Sequence, residues 1–117
     1  MTIAELAKDF TELLKRGDDE AAAAKYNSDD IGSFEAMEGP MAVCHGKVAV
    51  KQKGDWWRAN HEVHGASVDG PFVNGDQFAL RFKYDITPKE TGKRVEMEEI
   101  GLFTVKDGKI AEERFFY

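Results

Sequence analysis

In the stretch QFALRFKYDI, residues 77–86, large apolar side chains alternate with polar or small ones. An alternation of period two places the two sets of side chains on opposite faces of a β-strand. The apolar set predicts a half-buried strand and consists of Phe78, Leu80, Phe82, Tyr84 and Ile86. Arg81 belongs to the polar set, so we expect it on the outer face of a sheet.

Turn signals on both sides of this strand predict hairpins with its neighbours. Asn74-Gly75 precedes the strand, and a type I′ turn favours this dipeptide because both central residues need positive φ. Alternation resumes over residues 95–105, after which Asp107-Gly108 leads into a last strand over residues 110–117. With a strand starting near His61, the second half of the chain predicts three or four long antiparallel strands.

The first half of the chain is predicted to be mainly helical. Thr2 and Glu5 have the spacing of a capping box, and apolar residues at helical spacing follow as far as Gly17. A second helix is predicted from Asp18 to about residues 26–28, and a short strand over residues 31–37.

A third helix is predicted over residues 47–59, after the break at Glu38-Gly39-Pro40. Segregated helices and strands joined by hairpins predict an α+β fold, with the helices on one face of a curved, mostly antiparallel sheet.

Composition narrows the class of protein. The chain has 117 residues and a formal net charge of −6, which predicts one domain over residues 1–117 and disfavours nucleic-acid partners. Because the sequence has no long apolar run, we expect neither a membrane span nor a signal peptide. The single cysteine, Cys44, excludes an internal disulfide and predicts a packing residue. These features together predict a soluble, cytoplasmic domain.

Two segments carry a resemblance to a known family. They are KRGDDEAAAAKYNSDDIGSFE, residues 15–35, and GLFTVKDGKIAEERFFY, residues 101–117. The element order that they define resembles the nuclear-transport-factor-2-like superfamily and, within it, the SnoaL-like group. This resemblance implies a cone-shaped, cystatin-like α+β fold with a pocket between the helices and the concave face of the sheet. It also implies a homodimer through the outer face of the sheet. Members include ketosteroid isomerases, polyketide cyclases, dehydratases and epoxide hydrolases.

Glu35 is the first catalytic candidate. The resemblance to ketosteroid isomerases implies that a carboxylate here moves a proton next to a carbonyl group, as a dry pocket would allow. A solvated glutamate at the end of a strand is the alternative. Glu38 competes for the role, but its turn predicts exposure to solvent.

Glu99 is the second candidate because it is the one charge on an otherwise apolar alternating face. Burial of a carboxylate is costly unless the group is paired or protonated, so its position predicts a pocket. A bulge that turns the side chain outward is the alternative. If Glu35 and Glu99 lie close together, we expect one of them to have a raised pKa.

His61 is the third candidate, as an acid, a base or a hydrogen-bond donor; a polar residue at a strand start is its alternative. His61 and His64 lack the spacing of a zinc-binding helix, and they point to opposite faces of a strand. We therefore expect no metal site.

Aromatic side chains are expected to line the pocket, with ordinary core packing as the alternative. The candidate substrate-binding residues are Trp56, Trp57, Phe10, Phe82, Tyr84, Met97 and Phe103. Phe10 stands where ketosteroid isomerases have a tyrosine that donates to the substrate oxygen. The second donor of those enzymes, a protonated acid, falls near Ile100 or Gly101, next to Glu99. Steroid isomerisation is therefore not expected.

The resulting hypothesis is an isomerase, cyclase or dehydratase that acts on an apolar or aromatic carbonyl compound without a metal or an organic cofactor. Glu35 would be the base, and Glu99, His61 or Tyr84 would polarise the carbonyl group. A non-catalytic protein that binds a small ligand is one alternative. An association module is the other, in which Ile100 and Leu102 on the outer face would contact a partner.

Overall fold

The computed structural model describes residues 1–117. Three helices and six strands follow one another along the chain. In order, they are α1 (Ile3–Lys15), α2 (Asp19–Tyr26), β1 (Asn27–Phe34), β2 (Val43–His45), α3 (Lys47–Asn60), β3 (His61–Asn74), β4 (Gln77–Pro88), β5 (Val95–Lys106) and β6 (Lys109–Phe116). None of the helices has the length and apolar content needed to cross a membrane.

The first helix begins as its sequence predicts. The Thr2 hydroxyl accepts a hydrogen bond from the Glu5 N–H at 3.1 Å, and the Glu5 carboxylate accepts one from the Thr2 N–H at 3.0 Å. This capping box satisfies two N–H groups that have no partner within the helix. Gly17 ends the helical segment with a φ of 78°, which a residue with a Cβ rarely adopts.

All six strands form one sheet in the order β2-β1-β6-β5-β4-β3. Strands β3 to β6 are joined by hairpins, whereas β1 pairs with β6 in parallel. The β5–β6 turn has positive φ at both Asp107 and Gly108, as its sequence predicts. The β3–β4 turn is centred one residue later than predicted, on Gly75 and Asp76, with positive φ at Gly75 alone.

The alternation in β4 and β5 separates an inner from an outer face of the sheet. Residues 78, 80 and 82 of β4 and residues 103 and 105 of β5 are buried against α1 and α2. Arg81 lies on the exposed outer face, as predicted, and its guanidinium group donates to the Glu98 carboxylate at 2.9 Å. The α+β fold with helices on one face of a curved, mostly antiparallel sheet is therefore confirmed.

The segment between the second and third helices differs from the prediction. Strand β1 starts at Asn27, directly after α2, and ends at Phe34, earlier than the predicted strand over residues 31–37. Strand β2 was not predicted, because three residues at the edge of a sheet carry too little periodicity. Glu35 thus lies just beyond the end of β1, and its N–H donates to the Ala42 carbonyl at 2.8 Å.

Candidate active site

Three glutamates from different strands face the same region of the inner side of the sheet. Glu35 follows directly after β1. Glu99 of β5 lies opposite buried Phe82 of β4, and Glu113 of β6 lies opposite buried Ser33 of β1. The charge of Glu35 raises the pKa of both Glu99 and Glu113, so the three carboxyl groups are electrostatically coupled. We call Glu35, Glu99 and Glu113 the glutamate cluster.

Lys53 brings a positive charge into the glutamate cluster from α3. Its ammonium group lies 3.5 Å from Glu35 Oε2 and donates a hydrogen bond to Ser33 Oγ at 2.8 Å. It also lies 5.3 Å from the centre of the Phe115 ring, within the range of a cation–π contact. The Lys53 and Glu35 side chains are 14% and 23% exposed, so their ion pair is shielded from most of the solvent.

Burial is the main cause of the raised pKa values in the glutamate cluster. Loss of solvent, with the charge of Glu35, raises the pKa of Glu99 to about 7, and burial also raises that of Glu113 to about 7. Burial raises the pKa of Glu35 as well, while the charge of Lys53 opposes the rise. Near neutral pH, Glu99 and Glu113 can therefore give up a proton, and Glu35 beside them can take one.

The coupling between these groups determines the charge of the site. Three ionised carboxylates and one ammonium group would leave a net charge of −2, whereas protonation of Glu99 and Glu113 makes the cluster neutral. Glu35 Oε2 is buried and accepts no hydrogen bond. Apart from the Lys53 ammonium group at 3.5 Å, this oxygen has no polar partner, so it can accept a proton or a hydrogen bond from a ligand.

An aromatic wall extends from the glutamate cluster towards the third helix. Trp57 stacks on His61, with ring centres 4.5 Å apart, and contacts Tyr84 at 5.3 Å. Tyr84 in turn stacks on Phe82 at 6.0 Å. Burial, and next the charge of Glu99, raise the pKa of Tyr84, which keeps its hydroxyl group protonated and able to donate.

The two histidines at the start of β3 make separate contacts. His61 Nδ1 lies 2.7 Å from the Trp57 carbonyl oxygen, and since a carbonyl only accepts, Nδ1 carries the proton. Exposed His64 instead bonds to Thr87 Oγ1 through Nε2 at 2.7 Å. No group of three or more His, Cys, Asp or Glu side chains is placed to hold a metal ion.

The predicted substrate-binding residues occupy three different environments. Phe10, Phe82 and Phe103 are buried in the core, where Phe10 packs on Phe103 at 5.2 Å. Trp57, Tyr84 and Met97 are half-buried on the side of the glutamate cluster, and Met97 lies opposite Tyr84.

Trp56 is 48% exposed, and its ring lies edge to face with His61 at 6.3 Å between ring centres. The expected enclosed pocket thus takes the form of a half-buried polar cluster beside an aromatic wall.

Sequence reasoning missed two members of this arrangement, Lys53 and Glu113. Lys53 shares a half-buried helical stripe with Val50, Gly54 and Trp57, and that spacing is visible in the sequence. Glu113 follows Glu112 and precedes Arg114, so no alternation marks its face. Its position is fixed by the pairing of β6 with Ser33 on one side and Phe103 on the other.

Comparisons with known proteins agree with this architecture. The family model of the SnoaL-like domain matches residues 1–117. A Mesorhizobium loti protein, provisionally described as a SnoaL-like polyketide cyclase [carbohydrate phosphatase], is 74% identical, with a TM-score of 0.99 over 100% of both chains.

Two more distant structures share the fold alone. An NTF2-like protein of Burkholderia thailandensis is 20% identical, with a TM-score of 0.83 over 99% of this chain and 90% of its own. A Xanthomonas campestris protein of unknown function with a cystatin-like fold is 20% identical, with a TM-score of 0.77 over the same shares. A comparison with curated proteins gives no significant match. The full-length family match and the 74% identical relative place this chain in the SnoaL-like domain family.

Proposed function

We propose that this protein is an acid–base enzyme of the isomerase, cyclase or dehydratase type that acts on a neutral carbonyl compound with an apolar or aromatic body. The observation that carries the proposal is the glutamate cluster around Lys53, in which two carboxyl groups have pKa values of about 7. A catalytic acid or base works best when its pKa lies near the working pH.

Each side chain has a defined role in the proposed reaction. Glu35 takes a proton from the carbon next to the carbonyl group, and the electron pair of that C–H bond forms a C=C bond. The carbonyl oxygen takes up the negative charge and receives a proton or a hydrogen bond from Glu99. Tyr84 is the further candidate donor, whereas the Nδ1 proton of His61 is already donated to the Trp57 carbonyl oxygen. For an isomerisation, Glu35 returns the proton to another carbon while the oxygen gives its proton back to Glu99. For a cyclisation, the enol carbon attacks a second carbonyl group, whose oxygen takes the proton held by Glu35, and the enol oxygen gives its proton back to Glu99.

The charge of the cluster supports a neutral substrate. The cluster is neutral only while Glu99 and Glu113 keep their protons, and its one ammonium group is already paired with Glu35, so it has no free positive charge to balance an anionic group such as a phosphate. Trp57 and Tyr84 offer faces on which a planar apolar body can pack. These features favour a neutral ketone over a phosphorylated sugar.

Deuterium exchange of 2-tetralone, a neutral aromatic ketone with acidic C–H groups, tests the proposal. In D₂O, 2-tetralone should incorporate deuterium faster with the wild-type protein than in buffer alone. With Glu35→Gln, the protein-dependent rate should fall by about 100-fold or more. Glu38→Gln is the matched control, since Glu38 is an exposed carboxylate in the nearby turn.

An unchanged rate in Glu35→Gln, or an equal loss in both variants, would contradict the assignment of the base. A ketone that changes the tryptophan fluorescence of the wild type but exchanges no faster than in buffer would support the alternative of a non-catalytic binding protein.

We also propose that the outer face of the sheet forms a homodimer. A row of paired residues crosses all six strands on this face, and we call it the outer row: Val43, Phe34, Arg114, Leu102, Ala79 and Phe72. Phe72 is 64% exposed, and Ile100 and Phe116 beside the row are also exposed.

The charges of this face support a second copy as the partner. The face carries both Arg81 and Glu98, whose ion pair could be exchanged between two copies. A two-fold contact is self-complementary and places such opposite charges against each other.

A further inference from the structure

Lys53 is the one positively charged group that acts on the pKa of all three members of the glutamate cluster. Its ammonium group is held from two other sides, by the hydrogen bond to Ser33 Oγ at 2.8 Å and by the Phe115 ring at 5.3 Å. Since Ser33 is fully buried within β1, this anchor fixes the charge relative to the sheet.

The anchor does not place Lys53 equally close to the three carboxyl groups. Lys53 forms an ion pair with Glu35 at 3.5 Å, and no ion pair within 4.0 Å joins it to Glu99 or Glu113. Attraction between unit charges falls with distance, so the ionised form is favoured most at Glu35. Of three coupled carboxyl groups, the one beside the cation loses its proton first.

We propose that Lys53 is a positioning residue that selects Glu35 as the base and leaves Glu99 as the proton donor. This inference rests on the proposed function, and it adds the residue that decides which glutamate takes the substrate proton. Lys53 itself need not touch the substrate.

Other charged and titratable groups near α3 do not supply this asymmetry. Arg58 forms ion pairs with Glu20 at 3.6 Å and Asp55 at 2.6 Å, and its charge is not among the causes that act on the three glutamates. Tyr84 of β4 and Tyr117 after β6 both have raised pKa values and are therefore neutral.

The charge of Asp19 in α2 raises the pKa of Tyr84 but is not among the causes that act on the three glutamates. Glu62, His64 and His45 on the neighbouring strands are exposed, and His61 is bound to the Trp57 carbonyl oxygen.

Carboxyl-carbon NMR of protein labelled with ¹³Cδ-glutamate tests the proposal without a substrate. Single Glu→Gln variants assign the three signals, and the wild-type Glu35 signal should titrate at a lower pH than those of Glu99 and Glu113. In Lys53→Met, the Glu35 midpoint should rise by about 1–3 pH units, and by more than the other two midpoints. Lys51→Met is the matched control, because Lys51 is an exposed lysine of the same helix that pairs with Asp55 at 2.8 Å.

Two further variants separate the charge from a packing role. Lys53→Arg keeps the positive charge and should keep the wild-type order of titration, whereas Lys53→Gln should behave like Lys53→Met and replaces it if the methionine variant does not fold. An unchanged Glu35 midpoint, or an equal rise at all three groups, would overturn the proposal. An arginine variant that titrates like the methionine variant would overturn it as well.

The deuterium-exchange rate of 2-tetralone gives a second, independent readout. The acidic limb of the pH–rate profile should move up in Lys53→Met together with the Glu35 midpoint. Absence of exchange with every ketone, combined with the expected titration shifts, would contradict the proposed function and leave the effect of Lys53 on Glu35 intact. Normal exchange with an unmoved profile would contradict the role of Lys53 alone.

Discussion

Glu99 and Glu113 hold their protons more tightly in the folded protein than in the unfolded chain. An unfolded glutamic acid titrates near pH 4.3, whereas both folded groups have pKa values of about 7. Between these two values the folded state binds protons that the unfolded chain has released. The free energy of unfolding therefore falls as the pH rises from about 4.3 to about 7, and the lost stability is regained at lower pH.

Glu113→Gln should remove the part of the pH dependence of the unfolding free energy that comes from Glu113. A glutamine is neutral at every pH, so we expect a gain in the free energy of unfolding on the order of 1–3 kcal/mol at pH 8 and almost no change at pH 4.5. Urea unfolding at the two pH values measures the difference. Glu96→Gln, at an exposed position of β5, is the control and should change neither value by more than about 0.5 kcal/mol.

The candidate site was partly predictable at the level of single residues. Glu99 interrupts an apolar alternation, and the structure places it opposite buried Phe82, on the inner face that the pattern indicates. Glu113 was not predictable, because its face depends on the parallel pairing of β6 with β1. Lys53 lies on the half-buried side of α3. From the sequence alone a lysine there is expected to extend its ammonium group to solvent, because the carboxylates that face it are not known.

Within strand β5, Gly101 leaves room for two aromatic rings that lie directly over its Cα. A Cβ added there would lie 2.9 Å from Phe103 Cε2 and 3.0 Å from Phe82 Cε2, and both rings are buried. Gly101→Ala should therefore destabilise the protein by about 1–3 kcal/mol through overpacking.

Chemical unfolding measures this cost against Gly65→Ala, the matched control. Gly65 lies in β3, where the nearest atom, Asp85 Cβ, is 4.0 Å from the added carbon. An equal loss in both variants would show that the cost comes from replacing a strand glycine and not from the two rings.

The helix starts offer a second matched pair. Thr2→Ala removes the capping box of α1 and should lower the free energy of unfolding by about 1 kcal/mol. Asp18→Ala, at the start of α2, should cost much less, since the Asp18 side chain makes no capping hydrogen bond. Thermal unfolding of both variants checks this order, and a larger loss in Asp18→Ala would contradict it.

The sequence correctly predicted a helix or a strand wherever its apolar residues kept one spacing, helical or alternating, over many residues. The third helix and the long strands of the second half fall close to their predicted bounds. Strand β1 was misplaced because its residues 27–34 are largely polar at their start, and their partner β6 lies at the opposite end of the sequence. Local periodicity cannot reveal a pairing between residues so far apart.

At the scale of the whole molecule, the helices cover one face of the sheet, and the outer row occupies the other. The core residues of α1 and α2 form one buried cluster with residues on the inner face of the sheet. Exposed Phe72, Val43 and Phe116 on the outer side have no such cover. In a chain this small, an interface of the usual size, about 800 Å² per partner, would add substantially to the buried apolar area.

Leu102→Glu tests whether the outer face joins two copies. In a monomer the new carboxylate would lie opposite Arg114 on the neighbouring strand, so the fold should tolerate it. In a two-fold dimer the same carboxylate would be buried near the dimer axis, which is costly for an ionised group. Light scattering after gel filtration should therefore give the wild-type protein about twice the chain mass of 13.1 kDa and the variant the mass of one chain.

The melting temperature of the wild type should also rise with protein concentration, and that of Leu102→Glu should not. Val48→Glu, exposed on α3 and away from the sheet, is the control and should remain dimeric. A wild-type protein that is monomeric at all concentrations would rule out the dimer. A variant that stays dimeric would place the interface on another surface.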